Sequence, residues 1–83
     1  MTEAAMPVTM WEVRAADGQL EQLLAWVRPR LAETAQLYRS AAGDPRLVVL
    51  DPTGEVADRL AGVPPALIAR PPHAWEFEAV RNG

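Results

Sequence analysis

The chain contains no cysteine and no lysine, and only one histidine, one tyrosine and one phenylalanine. Without cysteine there is no disulfide to staple a small domain and no thiolate to act as metal ligand or nucleophile. All positive side-chain charge apart from His73 rests on eight arginines, at positions 14, 28, 30, 39, 46, 59, 70 and 81. They are spread singly and the formal net charge is −3, so no polybasic patch is visible in the sequence and the balance argues against broad nucleic-acid binding, which depends on phosphate neutralisation. No apolar run approaches the ~20 residues of a membrane span. The start, Met1-Thr2-Glu3-Ala4-Ala5-Met6, lacks the basic and apolar regions of a signal peptide. The expectation is a soluble, cytoplasmic protein with neither membrane nor nucleic acid as partner. A glycine-rich phosphate loop is missing, since Asp51-Pro52-Thr53-Gly54 reads as a turn in which Thr53 caps the next helix. One histidine and an isolated Ser40 cannot make a Ser/His/Asp set, and a metal site needs more ligands than a lone imidazole. The reading therefore includes no metal and no cofactor.

What is present is enough for one domain, taken as residues 7–81 of the 83, with residues 1–6 as a flexible leader. Hydrophobic residues make up 49% of the chain, but fifteen of them are alanine, so the large apolar side chains are few. A domain this small is marginal alone. With disulfides and thiolate metal sites excluded, oligomerisation is the remaining way to add buried surface.

Residues 8–15 read as a strand, with Thr9, Trp11 and Val13 on one face and Val8, Met10, Glu12 and Arg14 on the other. Asp17 is a suitable N-cap for a helix over residues 19–28, where Leu20, Leu23, Leu24 and Val27 recur at helical spacing and Leu31 extends the stripe. Pro29 should end or kink it. Residues 34–40 form a second strand, Ala42-Gly43-Asp44-Pro45 a turn, and residues 46–51 a third strand. Its unbroken run Leu47-Val48-Val49-Leu50 suggests cover on both faces. A short helix over 55–61, with Val56 and Leu60 on one face, stops at Gly62. A helical piece over 66–69 follows Pro65, and Pro71-Pro72 forces extended backbone into a last strand containing His73, Trp75 and Phe77.

The order is β-α-β-β-α-β. Strands two and three form a hairpin, and right-handed crossovers place both helices on one face of a four-stranded antiparallel sheet. The strand order becomes 4-1-3-2, an α+β ferredoxin-like arrangement. Trp75 and Phe77 are expected to face the helices beside Trp11 and Val13. The open face would then carry Met10, Glu12, Arg14, Glu76 and Glu78, with Arg14, Arg39 or Arg81 near the acids. That face is partly apolar, so a second copy of the chain is expected to cover it in a two-fold homodimer.

Val8 to Arg14, then Asp17-Gly18 and an amphipathic helix, then Gln36-Leu37-Tyr38-Arg39-Ser40, a Gly-Asp-Pro turn and Arg46-Leu47-Val48-Val49-Leu50 form a recognisable succession. In this element order and in the Tyr-Arg-Ser region the chain resembles the dimeric α/β-barrel superfamily, in particular its antibiotic-biosynthesis-monooxygenase-like domains. The resemblance covers most of the chain, with a second helix shortened and broken at Pro64-Pro65. It implies a homodimer and a site for quinone-like, haem or polyketide ligands between sheet and helices, in some members without any cofactor.

The residues that could build such a site are Trp11, Trp26, Tyr38 and Trp75 as aromatic walls and His73 as the one base that titrates near neutral pH. Each has a plainer reading: Trp11 and Trp75 as core, Trp26 as partly buried against a loop, Tyr38 at a sheet edge, His73 at the surface start of a strand. Glu76 and Glu78 read as a solvated or inter-subunit salt-bridged face rather than an acid–base pair, and strand parity turns both away from His73. Two functions are open. The first is a small homodimeric binding or interaction module taking a small aromatic ligand or a protein partner. The second is a cofactor-independent monooxygenase-like or isomerase-like enzyme acting on a flat aromatic or polyketide-like substrate, with His73 as base. The broken second helix and the single histidine favour the first.

Overall fold

The computed structural model describes residues 7–80. The proposed leader 1–6, Arg81 and the last two residues lie outside the described residues. Four strands, β1 (Pro7–Arg14), β2 (Gln36–Arg39), β3 (Arg46–Asp51) and β4 (His73–Glu78), form one antiparallel sheet in the order β2-β3-β1-β4. Helix α1 (Leu20–Val27) follows β1, and the four-residue α2 (Val56–Arg59) follows β3. The chain is thus a small α+β fold with the strand order expected from its sequence, read from the other edge.

Alternation along β1 and β3 divides the sheet. Trp11, Val13, Ala15, Leu47 and Val49 are buried, and α1 adds Leu23 and Val27 while the α2 segment adds Val56 and Leu60. Half-buried Leu20, Leu24, Leu31 and Leu37 pack around this set. Burying each valine or leucine of this set contributes about 1.5–3 kcal/mol, which is why both short helices hold to this one face. The opposite side of β3 is only half-buried at Val48 and Leu50. The unbroken apolar run therefore does not mean cover on both faces within one chain.

Helix α1 begins one residue later than its periodicity suggests. Asp17 does not cap it: the N-cap is Gln19, with no side-chain hydrogen bond, and Asp17-Gly18 forms a turn instead. Its regular part ends at Val27, where Pro29 tightens the chain into a 3-10 turn over Arg28–Arg30. The start of α2 is held mainly by Asp51, whose carboxylate accepts from the N–H groups of Thr53 (2.9 Å) and Glu55 (3.0 Å) and from Thr53 Oγ1 (2.7 Å), while Thr53 Oγ1 adds a longer bond from the Glu55 N–H (3.3 Å). Gly54 sits in this turn at φ +77°, with only Thr9 Oγ1 near a would-be Cβ, at 3.8 Å. The space tolerates a methyl group and the backbone does not. Gly54→Ala is expected to lower stability by about 1 kcal/mol in a urea titration.

The largest departure from expectation concerns β4. Ala69 N–H bonds to Arg14 O (2.8 Å), and Ile68 bridges Ala15. After Pro71-Pro72, which carry no N–H, pairing resumes with His73 opposite Glu12. Trp75 then lies opposite Met10 and Phe77 opposite Val8, whereas Ala74 and Glu76 oppose Trp11 and Thr9. Trp75 and Phe77 therefore stand on the open face, not against the helices, and Glu76 and Glu78 stand on the helix side. The reason is cover. The short α2 leaves β4 exposed along its whole length on both faces, so carboxylates on the helix side stay in water at little cost.

Candidate functional site

Register lays the open face out in rows. The first apolar row crosses all four strands as Gln36, Leu50, Met10 and Trp75, with Val8 and Phe77 beside it. The next row is Tyr38, Val48, Glu12 and His73. Beyond it Arg14 and Arg46 pair across β1 and β3. Trp75 and Phe77 are 45% and 51% exposed, although each sits inside a hydrogen-bonded strand. Together with Val8, Met10 and Leu50 they make this half of the open face apolar.

Of the residues singled out in the sequence, three share this face. His73 stacks on Trp75 with ring centroids 5.5 Å apart and planes 14° from parallel. Tyr38 stands at the far edge, exposed, its hydroxyl donating to Gln36 Oε1 at 3.1 Å. Trp11 is on the other side of the sheet, 2% exposed in the core. Trp26 is on α1, half-buried, with the Arg30 guanidinium 4.1 Å above its ring and Arg30 also donating to Trp26 O. The five residues are thus distributed over three places and do not form one aromatic box. No sequence-selected residue lines the groove of about 420 Å³ between α1 and β2, where Leu24 and Leu37 meet Arg28 and the Glu21–Arg39 ion pair of 3.0 Å.

Charge on the open face is gathered at one end and paired within the chain. Glu12, whose side chain is 14% exposed, accepts from Arg46 at 3.0 Å. Arg46 also reaches Asp44 at 3.7 Å, and Asp44 pairs with Arg14 at 3.2 Å. Glu12 is thus partnered by Arg46, whereas the sequence suggested a place beside Glu76 and Glu78 with Arg14, Arg39 or Arg81 nearby. Arg39 is committed to Glu21 on the helix side. Two acids and two arginines leave this end neutral in sum. Each pair contributes little by itself, about 0–1 kcal/mol, but together they let the end be covered without stranding a charge.

The other end of the face is apolar and uneven. A hollow of about 280 Å³ opens there, lined by Val8, Thr34, Gln36, Leu50 and Pro52. Sequence reasoning missed it, because the sequence reads as a second strand from residue 34, whereas β2 begins at Gln36 and leaves Thr34 in a turn, and because Pro52 also comes from a turn that no periodicity describes. It also missed Phe77 as a surface group. The signal for that was present in β1, whose open-face residues Val8 and Met10 are as apolar as its core residues.

No helix among the described residues is long and apolar enough to cross a membrane. No group of three or more His, Cys, Asp or Glu that could hold a metal ion occurs among the described residues. No protein-family model matches the chain, and no curated protein matches it significantly. Solved structures do. The fold is similar to the crystal structure of PA3566 from Pseudomonas aeruginosa, with a TM-score of 0.66 at 12% identity, over 98% of this chain and 100% of that one. It is also similar to the NE2512 protein of unknown function from Nitrosomonas europaea, with a TM-score of 0.62 at 19% identity, over 95% of this chain and 93% of that one. At these identities the likeness is one of fold.

Proposed function

We propose that the chain is a homodimeric interaction module of the ferredoxin-like, dimeric α/β-barrel type, joined through its open sheet face. Support for the fold reading comes from the strand order β2-β3-β1-β4 with helices after β1 and β3. The observation that carries the dimer is the apolar half of the open face, where Trp75 and Phe77 stand about half exposed beside Met10, Val8 and Leu50.

Size agrees. Four strands spaced ~4.8 Å apart and ~20 Å long cover a plan of about 400 Å². That is roughly half the ~800 Å² of accessible surface each partner gives to a standard interface, before the relief of the side chains is counted. Burying two aromatic rings per copy would supply the extra core that 83 residues without cysteine lack. Charge agrees as well, because the Glu12–Arg46–Asp44–Arg14 chain is satisfied within one copy. An enzymatic role for His73 has less behind it: the ring lies on an exposed edge strand, stacked on Trp75, where a general base would stand in water.

Sedimentation velocity at micromolar concentration tests the proposal. A species of twice the chain mass is the expected result, and a stable monomer there would end the reading.

A further inference from the structure

The open face carries both a projection and a hollow, and they lie on opposite sides of β1. Phe77 projects from β4, one strand spacing to one side, about 4.8 Å. The hollow is bounded by Val8 on β1, Leu50 on β3 and Gln36 on β2, so its centre lies about one spacing to the other side. Both are at the same end of the sheet, since Phe77 pairs with Val8 and Val8 also forms the hollow's wall.

A two-fold interface must be self-complementary: where residue i of one copy meets j of the other, j meets i. An axis running along β1, between two facing sheets, exchanges the two sides of β1 and keeps the level along the strand. It brings the projection of each copy over the hollow of the other, twice. We infer that Phe77 of each copy seats in the hollow lined by Val8, Thr34, Gln36, Leu50 and Pro52 of a second copy, and that this reciprocal fit sets the register of the dimer. The inference rests on the dimer reading above and adds to it the axis and the anchor.

Three observations favour this occupant. The hollow, at about 280 Å³, falls just below the range of small-molecule sites, which run about 300–1,000 Å³, yet it is ample for one ring. Phe77 is the ring free to fill it, because Trp75 is braced against His73 at 5.5 Å. The charged chain Glu12–Arg46–Asp44–Arg14 lies at the other end of the face, so the seat is mainly apolar and uncharged, with Thr34 and Gln36 as the polar residues of its lining. Sheets packed with their strands aligned, as this axis requires, are a standard face-to-face arrangement.

The test exchanges projection and hollow within one chain. Phe77 and Gln36 lie on opposite edge strands, three spacings or about 14 Å apart, a separation at which substitutions act independently unless they meet across an interface. Phe77→Ala removes the projection, and Gln36→Phe fills the hollow from its own side. Each alone is expected to weaken the dimer about tenfold or more by sedimentation equilibrium. Combined in one chain, they are expected to return its affinity to within about threefold of the natural protein. Both positions are exposed, and circular dichroism checks that each variant folds. Additive weakening in the double variant, or single variants that associate like the natural chain, would overturn the seating while leaving the dimer intact. A natural chain that is monomeric would overturn the dimer itself.

Discussion

Asp51→Ala is expected to lower the unfolding free energy by about 3 kcal/mol, the largest loss from any single polar substitution in this chain. Asp51 is 1% exposed at the end of β3, and no ordinary hydrophobic argument keeps it there. Its carboxylate instead gathers the N–H groups of Thr53 and Glu55 and the Thr53 hydroxyl, and so builds the turn from which α2 starts. Removing it leaves those donors beside a cavity. Val56 and Leu60, which close the core from α2, lose the bracket that positions them. Asp51→Asn keeps the size and part of the acceptor capacity, so it should lose less.

The same site has a pH signature. Burial alone would raise the Asp51 pKa; the hydrogen bond from the Thr53 side chain and those from the backbone N–H groups of Thr53, Glu55 and Val56 outweigh it and hold the carboxyl below its ordinary value of 3.8. A pKa lower in the folded than in the unfolded state adds stability that is complete above the unfolded value and disappears as pH falls through the folded one. Urea midpoints measured from pH 6 down to about pH 2 should therefore fall more steeply for the natural chain than for Asp51→Asn, with the difference confined to acid. Parallel curves would mean that Asp51 acts only through its shape.

How much of this was legible in the sequence differs from element to element. Alternation in β1 and the bounds of β3 were plain, because one face of each is apolar and the other is mixed or continues as a run. The hairpin and the strand order came from loop lengths and handedness. Alternation in β4 was equally plain, and it misled. Periodicity says which residues share a face but not which face is the core. Hydrophobic matching assigned Trp75 and Phe77 to the helix side beside Trp11. What decides the matter is the pairing of Ile68 with Ala15 and of His73 with Glu12, and the shortness of α2. The pairing is a tertiary fact, and although the shortness of α2 was readable in the sequence, its consequence for the cover of β4 was not. The same limit applies to the candidate site. His73, Tyr38 and Trp75 could be named as chemically notable, but only register shows that they share a face. Only register, too, separates Trp11 from them by the thickness of the sheet. Asp51 was read as part of a turn and not as its organising acceptor, since a buried carboxylate looks in sequence like any other turn aspartate.

A charge placed in the middle of the open face should separate the copies without harming either. Met10 is half-buried at the centre of β1, between Leu50 and Trp75 in the row that crosses all four strands. In one copy alone, Met10→Glu puts its carboxylate into water at a cost of about 1 kcal/mol or less. In the proposed dimer the same carboxylate is pressed against an apolar face with no free counter-charge among the described residues, because Arg14 and Arg46, the arginines of that face, are already held by Asp44 and Glu12. Burying an unpaired charge costs about 3–5 kcal/mol, so association should weaken between a hundredfold and several thousandfold. Met10→Leu, which keeps the volume, should change little. The measurement is sedimentation equilibrium for both variants, alongside thermal unfolding at two protein concentrations. Dimer formation makes the natural midpoint rise with concentration. Met10→Glu should lower that midpoint and remove its dependence on concentration, and a Met10→Glu chain that sediments like the natural one would exclude the open face as the interface. The outcome bears on why Trp75 and Phe77 are where they are. If the face is covered by a second copy, their exposure on β4 belongs to the single chain only, and the buried core of each chain is extended by a second one between the two sheets.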